Sequence, residues 1–228
     1  MEVYWCKRSY QDVPASKDWL HPSEKEVVAG FKFPKKRNDW LLGRWTAKTA
    51  VKSFLAKSHS WLTFTQIEVR AAEDGAPEVF FEKKPLPVFI SLSHSNGIGF
   101  CTIIQPGIAL GCDLEKIEPR SDAFINDYFT EKEIAQLGIN FPGPELGANL
   151  IWSAKESALK AMRSGLRVDP RHVEVSFEHT SKFKNWQNLE VSTPKYSKHF
   201  FGYWRTTADA FVETVLISEA PFKLLPLE

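Results

Sequence analysis

Three short apolar runs lie close together near the middle of the chain: VFISLSH (88–94), GFCTIIQ (99–105) and IALGCDLE (108–115). Each is shorter than a typical helix and rich in β-formers, and Pro106-Gly107 marks a tight turn between the last two. The pattern predicts short antiparallel strands, with a hairpin leading into the acidic end of the third run. Helix and strand patterns alternate on both sides of this centre. From about Asn38 to Lys57, Trp40, Leu41, Trp45, Ala47, Val51, Phe54 and Leu55 recur near the helical period, with Arg44, Lys48 and Lys52 as a basic stripe. AAEDGAPEV (71–79) is turn chemistry, Asp74-Gly75 followed by Pro77. Further on, Thr130 and Glu133 in FTEKEIAQL make a capping-box pattern that starts a short helix. NFPGPELG (140–147) separates it from a longer helix over roughly 148–164, which Gly165 is placed to end. HVEVSF (172–177), HFFGYWR (199–205) and FVETVLIS (211–218) read as three more strands. Each half is therefore helix plus antiparallel strands, an α+β pattern occurring twice. The boundary falls near residues 106–110, giving lobes of 1–106 and 107–228. No direct repeat strong enough to establish duplication is visible.

The chain's 228 residues are ample for a real core, and its charged and apolar fractions are ordinary for globular proteins. A net charge of +1 argues against a nucleic-acid or membrane adhesive. Charge is unevenly placed. Residues 31–57 hold eight Lys/Arg against one acid, Asp39, whereas 113–133 hold seven acids against three bases. An anionic ligand plus a metal fits this division, and so do two solvated faces. Cys6, Cys101 and Cys112 are odd in number and lack metal-type spacing, which suits a reducing cytosol. MEVYWCKRSYQD has no apolar signal-peptide core, and no run approaches the roughly 20 apolar residues that span a bilayer. A soluble, cytoplasmic protein is expected.

Asp113 and Glu115 are two apart on a predicted strand, so both side chains leave one face. Two unpaired carboxylates there repel, which favours a cation or a shared proton. Hard oxygen donors suit Mg²⁺, usually held by one or two carboxylates plus substrate phosphates. Alone, D-x-E also describes a solvated strand end. In IWSAKESALKAM (151–162), Glu156 and Lys160 share a helix face with each other and with Trp152, as in any ordinary helix ion pair. SLSHSNG (91–97) places Ser93 and His94 at a strand end, where they could donate to phosphate. Neighbours on a strand cannot face each other and no G-x-S-x-G elbow is present, so a hydrolase triad is excluded. FPKKRNDWLLGRWTAK (33–48) offers further bases, but no Gly-rich phosphate loop occurs.

Together, in this order and spacing, these elements resemble the surfactin-type 4′-phosphopantetheinyl transferase family. GCDLE (111–115) matches its G-x-D-x-E motif, WSAKESALKA (152–161) its W-x-x-K-E-x-x-x-K-A motif and SLSHS (91–95) its S-x-S-H-S strand. KKRNDWLLGR (35–44) and YFTEKE (128–133) resemble two further family segments, and the likeness spans about 31–178. The resemblance implies a fold of two similar, pseudo-symmetric lobes, each a small antiparallel sheet packed with helices. It implies an Mg²⁺-dependent enzyme (Mn²⁺ is possible) that transfers 4′-phosphopantetheine from coenzyme A to a serine of an apo acyl or peptidyl carrier protein, releasing 3′,5′-ADP.

Carried over residue by residue, Asp113, Glu115 and Glu156 are implied to hold the metal against the coenzyme A pyrophosphate, and Lys160 to sit on that pyrophosphate. Arg44, Ser93 and His94 are implied to hold coenzyme A phosphates, with Lys36, Arg37 and Lys155 as further contacts. The Gly75–Pro77 turn matches a G-x-P element beside the adenine, with Ala76 in place of the usual lysine. Cys112, alternating with Asp113, is read as packing. Glu156 or a metal-bound hydroxide takes the serine proton. The 116–150 segment, with Ile117, Phe124, Tyr128, Phe129 and Phe141, is a candidate carrier-docking surface or else core. The chain's length suits the monomeric two-lobed members rather than the half-length trimeric ones. Two alternatives stand beside this reading: a non-catalytic coenzyme A or carrier binder on the same scaffold, and a nucleic-acid binder resting on residues 31–57 alone.

Overall fold

The structure, a computed structural model, describes all residues except 57, 138, 140, 178–181, 184 and 228, and only the backbone at 182 and 183. The chain forms two compact units, Met1–Ile108 with Phe222–Glu228, and Ala109–Pro221. The expected helix end at Lys57 lies outside the described residues.

The first unit contains β1 (Glu2–Ser9), α1 (Pro22–Ala29), α2 (Pro34–Leu55), β2 (Ile67–Ala71), β3 (Pro77–Phe81), β4 (Lys84–Pro85), β5 (Phe89–Ser95) and β6 (Ile98–Ile104). The second contains β7 (Leu110–Lys116), α3 (Asp122–Tyr128), α4 (Glu131–Gln136), α5 (Pro144–Ala161), β8 (Glu174–Ser176), β9 (Lys182–Phe183), β10 (Trp186–Thr193), β11 (Lys198–Thr206) and β12 (Phe211–Ile217). The last strand, β13 (Lys223–Pro226), pairs in parallel with β1, so the C-terminal tail belongs with the first unit rather than with the lobe starting at 107.

In the first unit the order β13-β1-β6-β5 forms one sheet and β2-β3-β4 a small second one. Helix α2 starts with Pro34, whose fixed φ suits the first helical position. Its Ala47, Ala50, Val51 and Leu55 pack on Cys6, Cys101, Ile103 and the small sheet's Ile67, Val69 and Val79. Each large aliphatic chain fully buried there contributes roughly 1.5–3 kcal/mol. The second unit orders its strands β7-β12-β11-β10-β8, with β9 paired to β10. Helix α5 buries Leu150, Ile151, Ala154, Ala158 and Leu159 against Val175, Leu189, Val191, Phe200, Val212 and Leu216.

The expected α+β architecture is present in each unit, with differences of physical interest. The hairpin is β5–β6, closed by Asn96-Gly97 at φ 44° and 80°, as a two-residue primed turn requires. β7 does not continue it; after Pro106-Gly107 it pairs with β12 instead. Helix α5 ends at Ala161, before Gly165. Arg163 takes the left-handed position (φ 54°), with its N–H bonded to Lys160 O and that of Ser164 to Leu159 O, a Schellman closure.

A repeat hidden in the sequence also emerges. WTAK (45–48) on α2 and WSAK (152–155) on α5 occupy matching places: each tryptophan sits in an aromatic nest and each lysine is buried on a glutamate. Trp45 packs on Trp19 and Phe64, and Trp152 on Phe124 and Tyr128.

Candidate active site

The site in the second unit is made by the approach of α5 to β7. Gly111 permits it: a Cβ there would stand 1.8 Å from Ser157 O and 2.8 Å from Ala161 N, so any side chain would force the helix outward. Alternation puts Asp113 and Glu115 on the same face as Gly111. Thr214 lies opposite Asp113 in the β7–β12 ladder, and its hydroxyl meets those of Ser153 (2.8 Å) and Ser157 (2.7 Å) on α5. Helix α5 is thereby fixed in both distance and rotation over Asp113. One turn beyond Glu156, Lys160 donates to Asp113 Oδ1 at 2.7 Å and to Cys112 O at 3.1 Å.

Burial dominates the electrostatics. Glu115 is pushed up to about 7, first by burial and next by the charge of Asp113, while Arg120 pulls it down. Burial also raises Glu156; Lys160 opposes that shift and Asp113 adds to it. For Lys160, burial acts downward, yet the Asp113 carboxylate and its neighbours outweigh it and hold the ammonium above its usual value. Sequence reasoning missed Arg120, whose guanidinium bonds Glu115 Oε2 at 2.9 Å and Asn149 Oδ1 at 2.7 Å. Asn149 is itself anchored to the Glu118 and Glu145 carbonyls. Only its position five residues after Glu115, beside Pro119, hints that it turns back.

Among the described residues no three His, Cys, Asp or Glu side chains gather closely enough to enclose a metal ion by themselves. Mg²⁺ requires no such cage, since it dehydrates reluctantly and takes one or two carboxylates plus phosphate and water oxygens. An all-oxygen donor set in which Asp113 raises both Glu115 and Glu156 is what a hard cation would relieve. The residues present fit such an ion.

Lys155, expected near coenzyme A, is instead sealed in the core. Its three ammonium hydrogens go to Glu133 Oε2 (2.8 Å), Pro170 O (2.9 Å) and Val173 O (2.6 Å). Of the candidate docking residues, Phe129 is core, while Ile117, Phe124, Tyr128 and Phe141 are part-buried against it. Cys112 is buried in the core, in keeping with a packing residue.

In the first unit, His94 pairs with Gly99, where a Cβ would stand 2.4 Å from Thr46 Oγ1. His94 therefore leaves the α2 side of the sheet, exposed, and Ser93 leaves the opposite face, buried. The two side chains are not brought together. Lys36 and Arg37 sit in the first turn of α2, where cations oppose the helix dipole. Arg44 stacks on Trp40 with its charge 4.7 Å from the ring. Among the described residues, the buried Nε of Arg44 has no hydrogen-bond acceptor, with Glu24 Oε1 4.0 Å away. Burial lowers its pKa and Glu24 opposes the shift. Gly75 (φ 90°) and Pro77 bound the β2–β3 turn, in which Asp74 Oδ1 accepts from Ala76 N.

The family model for the 4′-phosphopantetheinyl transferase superfamily matches residues 109–210. A holo-[acyl-carrier-protein] synthase of Streptococcus agalactiae is 32% identical over 85 residues, 37% of this chain and 71% of the relative. One of Streptococcus mutans is 32% identical over 83 residues, 36% of this chain and 67% of the relative. A crystal structure of Thermotoga maritima holo-[acyl-carrier-protein] synthase aligns with 57% of this chain and 74% of its own, at 19% identity and a TM-score of 0.38. No helix among the described residues is long and apolar enough to cross a membrane. On the family match and the identity shared with these synthases, the chain belongs to the 4′-phosphopantetheinyl transferase superfamily and is an enzyme of that type.

Proposed function

We propose that the chain transfers the 4′-phosphopantetheine arm of coenzyme A to a serine hydroxyl of an apo acyl or peptidyl carrier protein, releasing 3′,5′-ADP. The observation that carries this reading is the Lys160–Asp113 contact, formed where Gly111 lets α5 lie on β7 beside Glu115 and Glu156. We assign the metal site and carrier docking to the second unit, and the phosphate and adenine contacts (Lys36, Arg37, Arg44, Gly75, Pro77, Ser93, His94) to the first. Two units with matching WTAK and WSAK helices support a surfactin-type, two-lobed member, which we take to act as a monomer in the cytoplasm.

Mg²⁺, or Mn²⁺, would be held by oxygens drawn from Asp113, Glu115 and Glu156 together with phosphate and water oxygens; when bound it supplies positive charge that offsets the pyrophosphate's repulsion of the incoming oxygen. Glu156, raised by burial, takes the proton of the carrier serine, a step typically contributing about 10²–10⁴-fold. Lys160, held protonated by Asp113, stays on the leaving phosphate and stabilises its growing charge. In the first unit, the unsatisfied Arg44 Nε and the first-turn cations of α2 suit the remaining phosphates.

Purified protein incubated with coenzyme A, Mg²⁺ and a panel of apo-carriers should add one phosphopantetheine mass to at least one of them. The gain should vanish with a chelator and in Glu156→Ala. No gain on any carrier would overturn the reading. Metal-independent coenzyme A binding without turnover would instead support a non-catalytic binder.

A further inference from the structure

Each unit contains the same buried device, and neither copy touches a reacting group. In the second, Glu133 is the third residue of α4 and caps it through Thr130 N at 2.8 Å. Its other oxygen accepts from Val175 N of β8 at 3.2 Å, and the carboxylate also holds Lys155 Nζ at 2.8 Å. One carboxylate thus joins α4, α5 and β8. In the first unit Glu24 is the third residue of α1 and caps it through His21 N at 3.0 Å. Its other oxygen accepts from Val69 N of β2 at 3.0 Å, and it holds Lys48 Nζ at 2.5 Å. Lys48 completes its set on Trp19 O (3.2 Å) and Phe64 O (2.9 Å), as Lys155 does on Pro170 O and Val173 O. Both glutamates and both lysines are almost wholly buried.

What differs is the residue each staple adjoins. On α5 the lysine directly precedes Glu156, so a helix turn that loosened Lys155 would swing Glu156 off β7. The Ser153 and Ser157 contacts to Thr214 pin the helix on the sheet side, and the Glu133–Lys155 pair pins it from another element. On α2 the staple lies one turn beyond Arg44, whose Nε is 4.0 Å from Glu24 Oε1.

Resting on the transferase reading above, we infer that Glu133 and Glu24 are paired positioning residues with separate outputs. Glu133, through Lys155, sets the rotation of α5 that presents Glu156 to the reaction. Glu24, through Lys48 and its own charge beside Arg44, sets the guanidinium that receives a coenzyme A phosphate. The two staples share one geometry and divide the work: one governs turnover, the other governs coenzyme A affinity.

Steady-state transfer by wild type, Glu133→Gln and Glu24→Gln, with equilibrium coenzyme A binding and thermal midpoints, tests the division. All assays are run well below the lowest midpoint. Glu133→Gln should lose at least about tenfold in kcat, with the coenzyme A KM and Kd within twofold of wild type. Glu24→Gln should raise the coenzyme A KM and Kd at least fivefold, with kcat within twofold. Should either glutamine variant fail to fold, Glu133→Asp or Glu24→Asp, which keeps the charge but retracts it by one methylene, is read by the same criteria. Variants that both lose kcat in proportion to their folded fraction, with KM unchanged, would reduce the staples to fold stability and overturn the inference. A wild type that transfers nothing would overturn the transferase reading and this inference with it; an active wild type with undivided variant effects would overturn this inference alone.

Discussion

Helices α2 and α5 are built alike and equipped differently. Both begin with proline, both carry a tryptophan three residues before a buried lysine, and both anchor that lysine on the capping-box glutamate of the preceding helix. Aligned on Lys48 and Lys155, the positions of Glu156 and Lys160 on α5 are Thr49 and Ser53 on α2. β7 presents Asp113 and Glu115 on one face, whereas β1, the first strand of its unit, carries Lys7 and Arg8 on opposite faces. The scaffold is therefore indifferent to the chemistry it carries. A few exchanges separate a carboxylate site from a basic surface, and the buried ion pairs belong to the shared frame.

The largest expected effect breaks that frame in either unit. Lys155→Ala strands the Glu133 carboxylate in the core and should cost about 3–5 kcal/mol, the usual range when one partner of a buried pair is removed. Lys48→Ala should cost a comparable amount. Urea melts of both variants check this, and a cost near zero for one alone would end the equivalence. A smaller effect separates the units. Gly111→Ala drives a methyl into the α5 backbone and should destabilise by about 1–3 kcal/mol while cutting transfer sharply. Gly43→Ala meets only a Leu92 methyl at 3.2 Å and should leave stability within about 1 kcal/mol, because alanine's helix propensity offsets the contact.

The acidic unit should also announce itself by pH. Glu115 titrates near 7 in the folded chain against an ordinary 4.5, so the folded state holds this proton more tightly. Its contribution to stability is present below about 4.5 and falls as pH rises through 7, by on the order of 1–3 kcal/mol. Melting of the metal-free chain from pH 4.5 to 8, compared with Glu115→Gln, checks this; the variant should lack that part of the decline. The smallest effect concerns the end of α5. Replacing the left-handed Arg163 by glycine should raise stability by about 0.5–1 kcal/mol, visible as a slightly higher midpoint.

Much of this comparison is legible in the amino-acid sequence, and for definite reasons. Strands β5, β6 and β7 and helices α2, α4 and α5 carry apolar periodicity or a capping signature, both local properties. β1 escapes because its apolar run, Val3 to Cys6, is short and bounded by Glu2 and Lys7, and β10 because WQNLEVST interleaves polar residues with too few apolar ones. Glu133 is visible as a cap residue and Lys155 as a motif residue, but their contact is long-range, and that contact seals Lys155 in the core. Arg120 shows the same limit: Pro119 hints that the chain turns back toward Glu115, but nothing near it in sequence says that Asn149 also flanks it. The WTAK and WSAK match is too short to establish duplication alone, and acquires meaning once Glu24 and Glu133 are seen on the two lysines.

We place the chemistry where α5 crosses β7. Intact-mass measurement of an apo-carrier after incubation with coenzyme A and Mg²⁺ tests it, using equal amounts of wild type, Glu156→Gln and its first-unit counterpart Thr49→Ala. Glu156→Gln should slow the phosphopantetheine gain by at least about 10²-fold, the lower end of a general-base contribution, with Thr49→Ala matching wild type. A Glu156→Gln variant that modifies the carrier at the wild-type rate would contradict the account.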